Sequence, residues 1–188
     1  MEMIQESDLK LLFSEEQIQT KIKEVAENIN NIYGKDSLYV VCVLKGSVMF
    51  MTDLVKHLKM PLKMEFVKLS SYGSNFTSSG KVNAVDISLP DLNGKNVLII
   101  EDIIDTGHTA KFLIDFIKFN FKTKSLRFCS LLDKKVKRQV DIDADIYGFD
   151  IDDKFLVGYG LDFDGYYRNI PYIGYVEKWF FEISLKSW

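Results

Sequence analysis

Two rhythms of apolar residues organise this chain. Ile18, Ile22, Val25, Ala26, Ile29 and Ile32 recur at helical spacing behind Ser14-Glu-Glu-Gln17, which has the form of a capping box, and ahead of Gly34, which ends the stripe. Leu38 to Leu44 is instead an unbroken, Val-rich run, as in a parallel strand covered on both faces. It passes directly into Lys45-Gly46-Ser47. There Ser47 is placed to cap a helix carrying Val48, Met51, Val55 and Leu58, with His57 in it, before Pro61 breaks it. Residues 38–69 therefore predict strand, helix, strand.

Residues 70–81 are the longest stretch without either rhythm, and they read as a loop with Tyr72 and Phe76 in it. A dozen structureless residues in a compact domain usually mean disorder or a lid. The pattern then predicts strands near 82–88 and 97–101, a helix over 108–120, a strand over 125–132, and short strands near 145–149 and 155–160. Strands alternating with helices imply an α/β fold, a mostly parallel sheet with helices on both faces, whose ligands sit beyond the carboxyl ends of the strands. Lys45-Gly46, Glu101-Asp102 with Asp105, and Asp133-Lys134 all follow apolar strands, so they should meet at one sheet edge. No repeat or shift in composition marks a second domain.

At 188 residues the chain can bury roughly 70% of its unfolded surface and needs no disulfide. Cys42 and Cys129 each lie in an apolar run, as small free hydrophobes in a reduced compartment. With 47% hydrophobic and 27% charged residues and a net charge of −3, the chain lacks the basic excess of a nucleic-acid surface. The run Lys134, Lys135, Lys137 and Arg138 reads as a solvated turn. The first residues lack signal-peptide character, and no apolar run approaches the roughly 20 residues of a membrane span. A cytoplasmic protein without membrane or nucleic-acid partners is expected.

The candidate chemistry lies in Val97-Leu-Ile-Ile-Glu-Asp-Ile-Ile-Asp-Thr-Gly-His-Thr109. Its apolar run ends in three acids, and a Thr-Gly-x-Thr turn then opens a helix. Backbone N–H groups entering a helix, with the hydroxyls of Thr106 and Thr109, suit a phosphate. Acids beside a phosphate make sense if Glu101 and Asp102 accept from sugar hydroxyls or face a metal, and if Asp105 handles a proton. The chain has no Walker pattern and no Gly-x-Gly-x-x-Gly after a strand, which argues against a P-loop kinase or a dinucleotide enzyme.

The segment Glu101-Asp102-Ile-Ile-Asp105-Thr106-Gly107-His108-Thr109 resembles the signature by which phosphoribosyltransferases bind phosphoribosyl pyrophosphate. Leu44-Lys45-Gly46 resembles the pyrophosphate-binding tripeptide of the 6-oxopurine branch, the hypoxanthine-guanine enzymes. The likeness runs from about Leu38 to Gly174. Ser71-Tyr72 is similar to the Ser-Tyr pair of the catalytic flexible loop, Ser130-Leu-Leu-Asp-Lys134 to the segment whose lysine binds the purine 6-oxo group, and Phe155-Leu-Val-Gly-Tyr-Gly-Leu-Asp162 to the base-binding strand. Arg168 matches an arginine that reaches pyrophosphate. His108 departs from the pattern, since family members often carry an apolar residue or lysine there; an imidazole beside a phosphate can donate to it or gain charge at mildly acid pH.

The resemblance implies a type I phosphoribosyltransferase fold over residues 1–188, a core over about 14–140 and a base-binding hood from about 141–188 with the N-terminus. It also implies transfer of phosphoribose to N9 of hypoxanthine or guanine with Mg2+. Asp105 would be the base at purine N7, and Glu101 and Asp102 would hold the ribose hydroxyls. Lys45, Gly46 and Arg168 would hold pyrophosphate. Phe155 would stack on the purine, with the Leu156 backbone at its exocyclic edge. Asp162, Glu101 and Asp102 would face the metal. A homodimer or homotetramer is implied, and the aromatic Trp179-Phe-Phe181 and Trp188 would pack on the core or a partner subunit. Transfer to xanthine or a pyrimidine is the neighbouring alternative. A non-catalytic regulator on the same fold would need a DNA-binding element, for which the residues before Leu38 leave little room.

Overall fold

The computed structural model describes residues 8–71 and 82–176. Tyr72, Phe76, Trp179, Phe181 and Trp188, all singled out above, lie outside the described residues. Nine strands and three α-helices follow in the order β1 (Lys10–Phe13), α1 (Glu15–Tyr33), β2 (Leu38–Leu44), α2 (Val48–Val55), β3 (Leu62–Ser71), β4 (Val82–Asp86), β5 (Asn96–Ile104), α3 (His108–Asn120), β6 (Ser125–Asp133), β7 (Ile146–Asp150), β8 (Phe155–Val157) and β9 (Ile173–Val176) among the described residues.

The larger sheet has the order β4-β3-β2-β5-β6-β7. Its strands run parallel except β4, which pairs antiparallel with β3 at the edge. Alternating residues of the central strands feed two apolar layers, because successive side chains of a strand point to opposite faces. Val40, Cys42, Leu98 and Ile100 pack with Ile18, Ile22, Phe50 and Leu54 of α1 and α2. Val41, Val43, Val97 and Ile99 pack with Leu113 and Ile117 of α3 on the other face. This is the α/β architecture that the sequence pattern predicts, a mostly parallel sheet with helices on both faces.

The capping box forms as the sequence predicts: Gln17 N donates to Ser14 Oγ at 3.2 Å and Ser14 N to Gln17 Oε1 at 2.8 Å. Ser47 does not cap α2. Its backbone is already helical, and its buried hydroxyl turns back to donate to the Val43 carbonyl at 2.5 Å. Helix α2 stops at Val55, so His57 lies in the turn beyond it, its N–H donating to the Leu54 carbonyl. β5 does not end at the acids. It continues through Glu101 and Asp102 to Ile104, because β6 keeps pairing alongside it, Glu101 opposite Ser130 and Ile104 opposite Asp133.

A second, antiparallel sheet has the order β1-β9-β8. Strands β1 and β9 have no counterpart in the sequence pattern: each is four residues long, too short for alternation to show. β8 ends at Val157, and Gly158, Tyr159 and Gly160 all take positive φ after it. The large sheet extends past residue 141, since β7 pairs with β6, so the small sheet draws on residues from Phe155 onward together with β1. Leu156, Tyr159, Leu161 and Ile173 share the apolar layer of α1 and α2, which joins the small sheet to the large one.

Candidate active site

The carboxyl ends of β2, β5 and β6 lie side by side, and most of the residues singled out in the sequence lie there. Lys45-Gly46 leaves β2 through a cis Leu44–Lys45 peptide. Gly46 lies against the Asp102 carboxylate: a Cβ at position 46 would fall 1.8 Å from Asp102 Oδ2. Only glycine lets these two segments approach so closely.

Glu101 is buried, and that burial, followed by the charge of Asp102, raises its carboxyl well above the usual range. Burial likewise pushes Asp102 up to about 6, against backbone N–H groups and the Arg168 guanidinium that draw it down. Both carboxyls hold a proton more readily than exposed acids do, and each offers oxygen atoms to a sugar hydroxyl.

Asp105 is the first residue beyond β5, and Lys134 the first beyond β6. The Lys134 ammonium, 9% exposed, stands 4.0 Å from Asp105 Oδ2 and 3.4 Å from Asp153 Oδ1. It donates to the Lys154 carbonyl at 2.9 Å, immediately before Phe155. Among the described residues Asp105 Oδ1 is buried without a hydrogen-bond partner, an acceptor oriented toward no protein donor. Phe155 meets Phe163 edge-on, with ring centroids 5.7 Å apart, and Leu156 is buried in β8.

The Thr106-Gly107-His108-Thr109 turn opens α3. Gly107 holds φ 87° and is enclosed so closely that a Cβ would come within 2.7 Å of Ile142 and 2.9 Å of Val140. The Thr106 carbonyl accepts from Gln139 N at 3.0 Å, and the His108 ring Nε2 lies 3.2 Å from Gln139 Oε1. Among the described residues no side chain caps α3, and the N–H groups of its first turn suit an anion.

Arg168 pairs with Asp162 at 2.6 Å and donates to the Gly160 carbonyl at 2.5 Å, while Gly165 N donates to Asp162 Oδ2 at 2.7 Å. Gly160 in turn rests on the Gly46 carbonyl. Arg168, Asp162, Gly46 and Asp102 therefore form one group, and Asp105, Lys134 and Phe155 another, the two joined by the end of β5. Ser71 ends β3, which runs parallel to β2, so it lies at the same carboxyl edge of the sheet, while Tyr72 is outside the described residues.

The acids suggested for a metal do not make a cation cage: among the described residues no three His, Cys, Asp or Glu side chains are grouped to hold one. The donor set still fits Mg2+, which typically takes one or two protein carboxylates and completes its shell with substrate phosphate oxygens and water.

Two residues carry more than the sequence showed. Arg138, read there as part of a solvated turn with Lys134, is only 13% exposed. It donates to the Asp105 carbonyl at 2.6 Å and pairs with the buried Asp133. Gly160 escaped notice because a lone glycine after a strand carries no signal of what packs on it.

This arrangement, an anion turn on a helix N-terminus behind paired acids at a parallel-sheet edge, defines a phosphoribosyltransferase site. The phosphoribosyl transferase domain family matches residues 11–164. The hypoxanthine-guanine phosphoribosyltransferases of Streptococcus thermophilus and Bacillus subtilis are 42% and 43% identical to the chain, over 94% and 92% of it and 97% and 96% of their own length. A crystal structure of a Bacillus anthracis hypoxanthine-guanine phosphoribosyltransferase with HEPES in its active site superposes with a TM-score of 0.84 at 43% identity, covering 89% of this chain and 98% of that one. A Staphylococcus aureus hypoxanthine phosphoribosyltransferase gives a TM-score of 0.87 at 40% identity, over 93% and 95% of the two chains. The chain belongs to the hypoxanthine-guanine phosphoribosyltransferase family, and it is a glycosyltransferase of purine salvage.

Proposed function

We propose that the protein transfers the 5-phosphoribosyl group of phosphoribosyl pyrophosphate to N9 of hypoxanthine or guanine, giving IMP or GMP and pyrophosphate. The observation that carries the base assignment is the Lys134 ammonium, fixed by Lys154 and Asp153 beside Asp105. An ammonium only donates, so it pairs with a 6-oxo oxygen and finds no acceptor in the 6-amino group of adenine.

In this reading the C1′–N9 bond forms as the C1′–oxygen bond to pyrophosphate breaks, and Asp105 takes the proton from purine N7. Its unpartnered Oδ1 supports that role. Glu101 and Asp102 accept from the ribose hydroxyls and stabilise the positive charge that develops on the sugar. The turn from Thr106 to Thr109, His108 included, holds the 5′-phosphate. Lys45, Gly46 and Arg168 hold pyrophosphate; Phe155 stacks on the purine, and the Leu156 backbone meets its exocyclic edge. The Ser71-Tyr72 segment covers the site against water. Asp162, Glu101 and Asp102 would hold Mg2+, which would supply positive charge against the pyrophosphate oxygens.

We further infer a homodimer or homotetramer acting in the cytoplasm, on small-molecule substrates without nucleic-acid or membrane partners. Among the described residues no helix is long and apolar enough to cross a membrane. A spectrophotometric assay with phosphoribosyl pyrophosphate, Mg2+ and each of hypoxanthine, guanine, xanthine and adenine tests the reading. Turnover of hypoxanthine and guanine with adenine inert is the expected result; adenine turnover, or none with any 6-oxopurine, would sink it.

A further inference from the structure

The turn after β8 is held from outside the site. Tyr159, 6% exposed, donates its hydroxyl to Asp53 Oδ2 at 2.7 Å. Gln19 Nε2 donates to the same oxygen at 2.8 Å, and Lys56 Nζ to Oδ1 at 2.8 Å. Gln19 comes from α1, while Asp53 lies on α2, the helix that begins immediately after Lys45-Gly46-Ser47. None of these groups has a part in the chemistry above.

Tyr159 stands at φ 49°, between Gly158 and Gly160, both at φ 97°. For a residue with a Cβ that region costs about 1–2 kcal/mol, so the surroundings must hold it there. The Tyr159 backbone N–H donates to the Ile170 carbonyl at 2.7 Å, and the phenol–carboxylate hydrogen bond, with the Met49 carbonyl 3.4 Å from the hydroxyl, anchors its side chain. Gly160, next in the chain, rests so tightly on the Gly46 carbonyl that a Cβ would fall 2.0 Å from its oxygen. Gly160 N also donates to the Arg168 carbonyl at 2.9 Å, and the Gly160 carbonyl accepts from the Arg168 guanidinium at 2.5 Å. One chain of contacts thus runs from Asp53 through Tyr159 and Gly160 to Gly46 on one side and Arg168 on the other.

We propose that Asp53 is a positioning residue which, through Tyr159, fixes Gly160 between the two halves of the pyrophosphate cradle, Lys45-Gly46 and Arg168. The proposal rests on the reading of that cradle given under Proposed function. A displaced Gly160 changes the spacing between Gly46 and Arg168 but leaves Lys134 and Phe155, which face the base in that reading, on their own supports. Loss of the network should therefore fall on one substrate.

Tyr159→Phe, Asp53→Ala, Asp53→Asn, Lys56→Ala and Arg168→Lys are to be compared for KM with each substrate, inhibition by pyrophosphate and melting temperature. Tyr159→Phe and Asp53→Ala are expected to raise KM for phosphoribosyl pyrophosphate about tenfold and weaken pyrophosphate inhibition to the same degree, with KM for hypoxanthine unchanged. Asp53→Asn keeps an acceptor oxygen for Tyr159 and Gln19 and should restore most of the affinity. Lys56→Ala removes only an exposed partner and should change neither KM. Equal rises in both KM values, or a lower melting temperature with neither KM altered, would overturn the proposal. If Asp53→Ala does not fold, Tyr159→Phe, which loses a single oxygen, decides it alone. Should Arg168→Lys weaken pyrophosphate inhibition while Tyr159→Phe does not, the positioning role fails and the cradle stands; should Arg168→Lys leave inhibition unaltered, the cradle reading fails first.

Discussion

Asp105 and Lys134 face each other at 4.0 Å because β5 and β6 end in register, Ile104 opposite Asp133, so the next residue of each strand projects from the same edge. The acid proposed as the base and a cation that only donates are thereby fixed side by side. Asp105→Asn should slow nucleotide formation by roughly 100-fold or more while leaving phosphoribosyl pyrophosphate affinity nearly intact, as stopped-flow and equilibrium binding would show. Lys134→Gln offers an acceptor as well as a donor, so adenine turnover should rise relative to hypoxanthine. An unchanged base preference would remove Lys134 from that contact.

Gly46 has no room for a side chain. Gly46→Ala must displace the Asp102 carboxylate or the Lys45-Gly46 turn, and we expect kcat/KM for phosphoribosyl pyrophosphate to fall by roughly 100-fold, in line with misplacement of about 1 Å in an active site. Far-UV circular dichroism should stay native, since the clash is with a carboxylate at a strand end and not with the core. Near-normal kinetics would mean that this close approach does not matter to catalysis.

Burial pushes Asp102 up to about 6, while in the unfolded chain it titrates at about 3.9. Between those values the folded protein holds a proton that the unfolded chain has released. The stability from Asp102 is therefore complete below about pH 4 and lost as pH rises toward 6, a loss on the order of 3 kcal/mol. Glu101, raised by burial and by Asp102, extends the decline to higher pH. Burial works to raise Asp53 as well, but its donors Lys56, Tyr159 and Gln19 hold it below the ordinary range, so its contribution is lost only at more acid pH. Urea midpoints from pH 4 to 8 should fall for the wild type and flatten for Asp102→Asn; a variant with the wild-type slope would show that another group sets it.

Among the described residues, Arg138→Ala leaves the Asp133 carboxylate, 1% exposed, with Lys135 at 3.9 Å as its remaining cation. Removing one partner of a buried ion pair costs about 3–5 kcal/mol, and a drop of that size in unfolding free energy is expected. Because Arg138 also holds the Asp105 carbonyl at 2.6 Å, kcat should fall even at temperatures where the variant is fully folded. Loss of stability with kcat retained would confine Arg138 to the core.

The order of the large sheet's elements and the convergence of Lys45, Asp102, Asp105 and Lys134 were legible in the sequence, because long apolar runs and acids at a strand end leave few alternatives. β1 and β9 were not, since a four-residue strand shows no period and their pairing joins distant parts of the chain. Composition misjudged Arg138: four charges in a short run look solvated until Asp133 is known to be buried beneath them. Ser47 satisfied the spacing for a cap, yet its backbone is already helical and its hydroxyl donates to the Val43 carbonyl without accepting from the first turn of α2.

The pairing of Lys10 with Tyr175 and Leu11 with Gly174 bears on how the enzyme comes into being on the ribosome. The large parallel sheet can assemble once β7 has emerged, whereas β1, made first, has no partner strand until β9 follows. Long-range pairing of this kind is slow, and it falls late in synthesis. A nascent chain stalled before Ile173 would present the large sheet, with Glu101, Asp102 and Asp105 already at its edge, and β1 still without its partner strand. Ribosome-arrested chains should therefore resist proteolysis across the large sheet while Lys10–Phe13 stays open to cleavage.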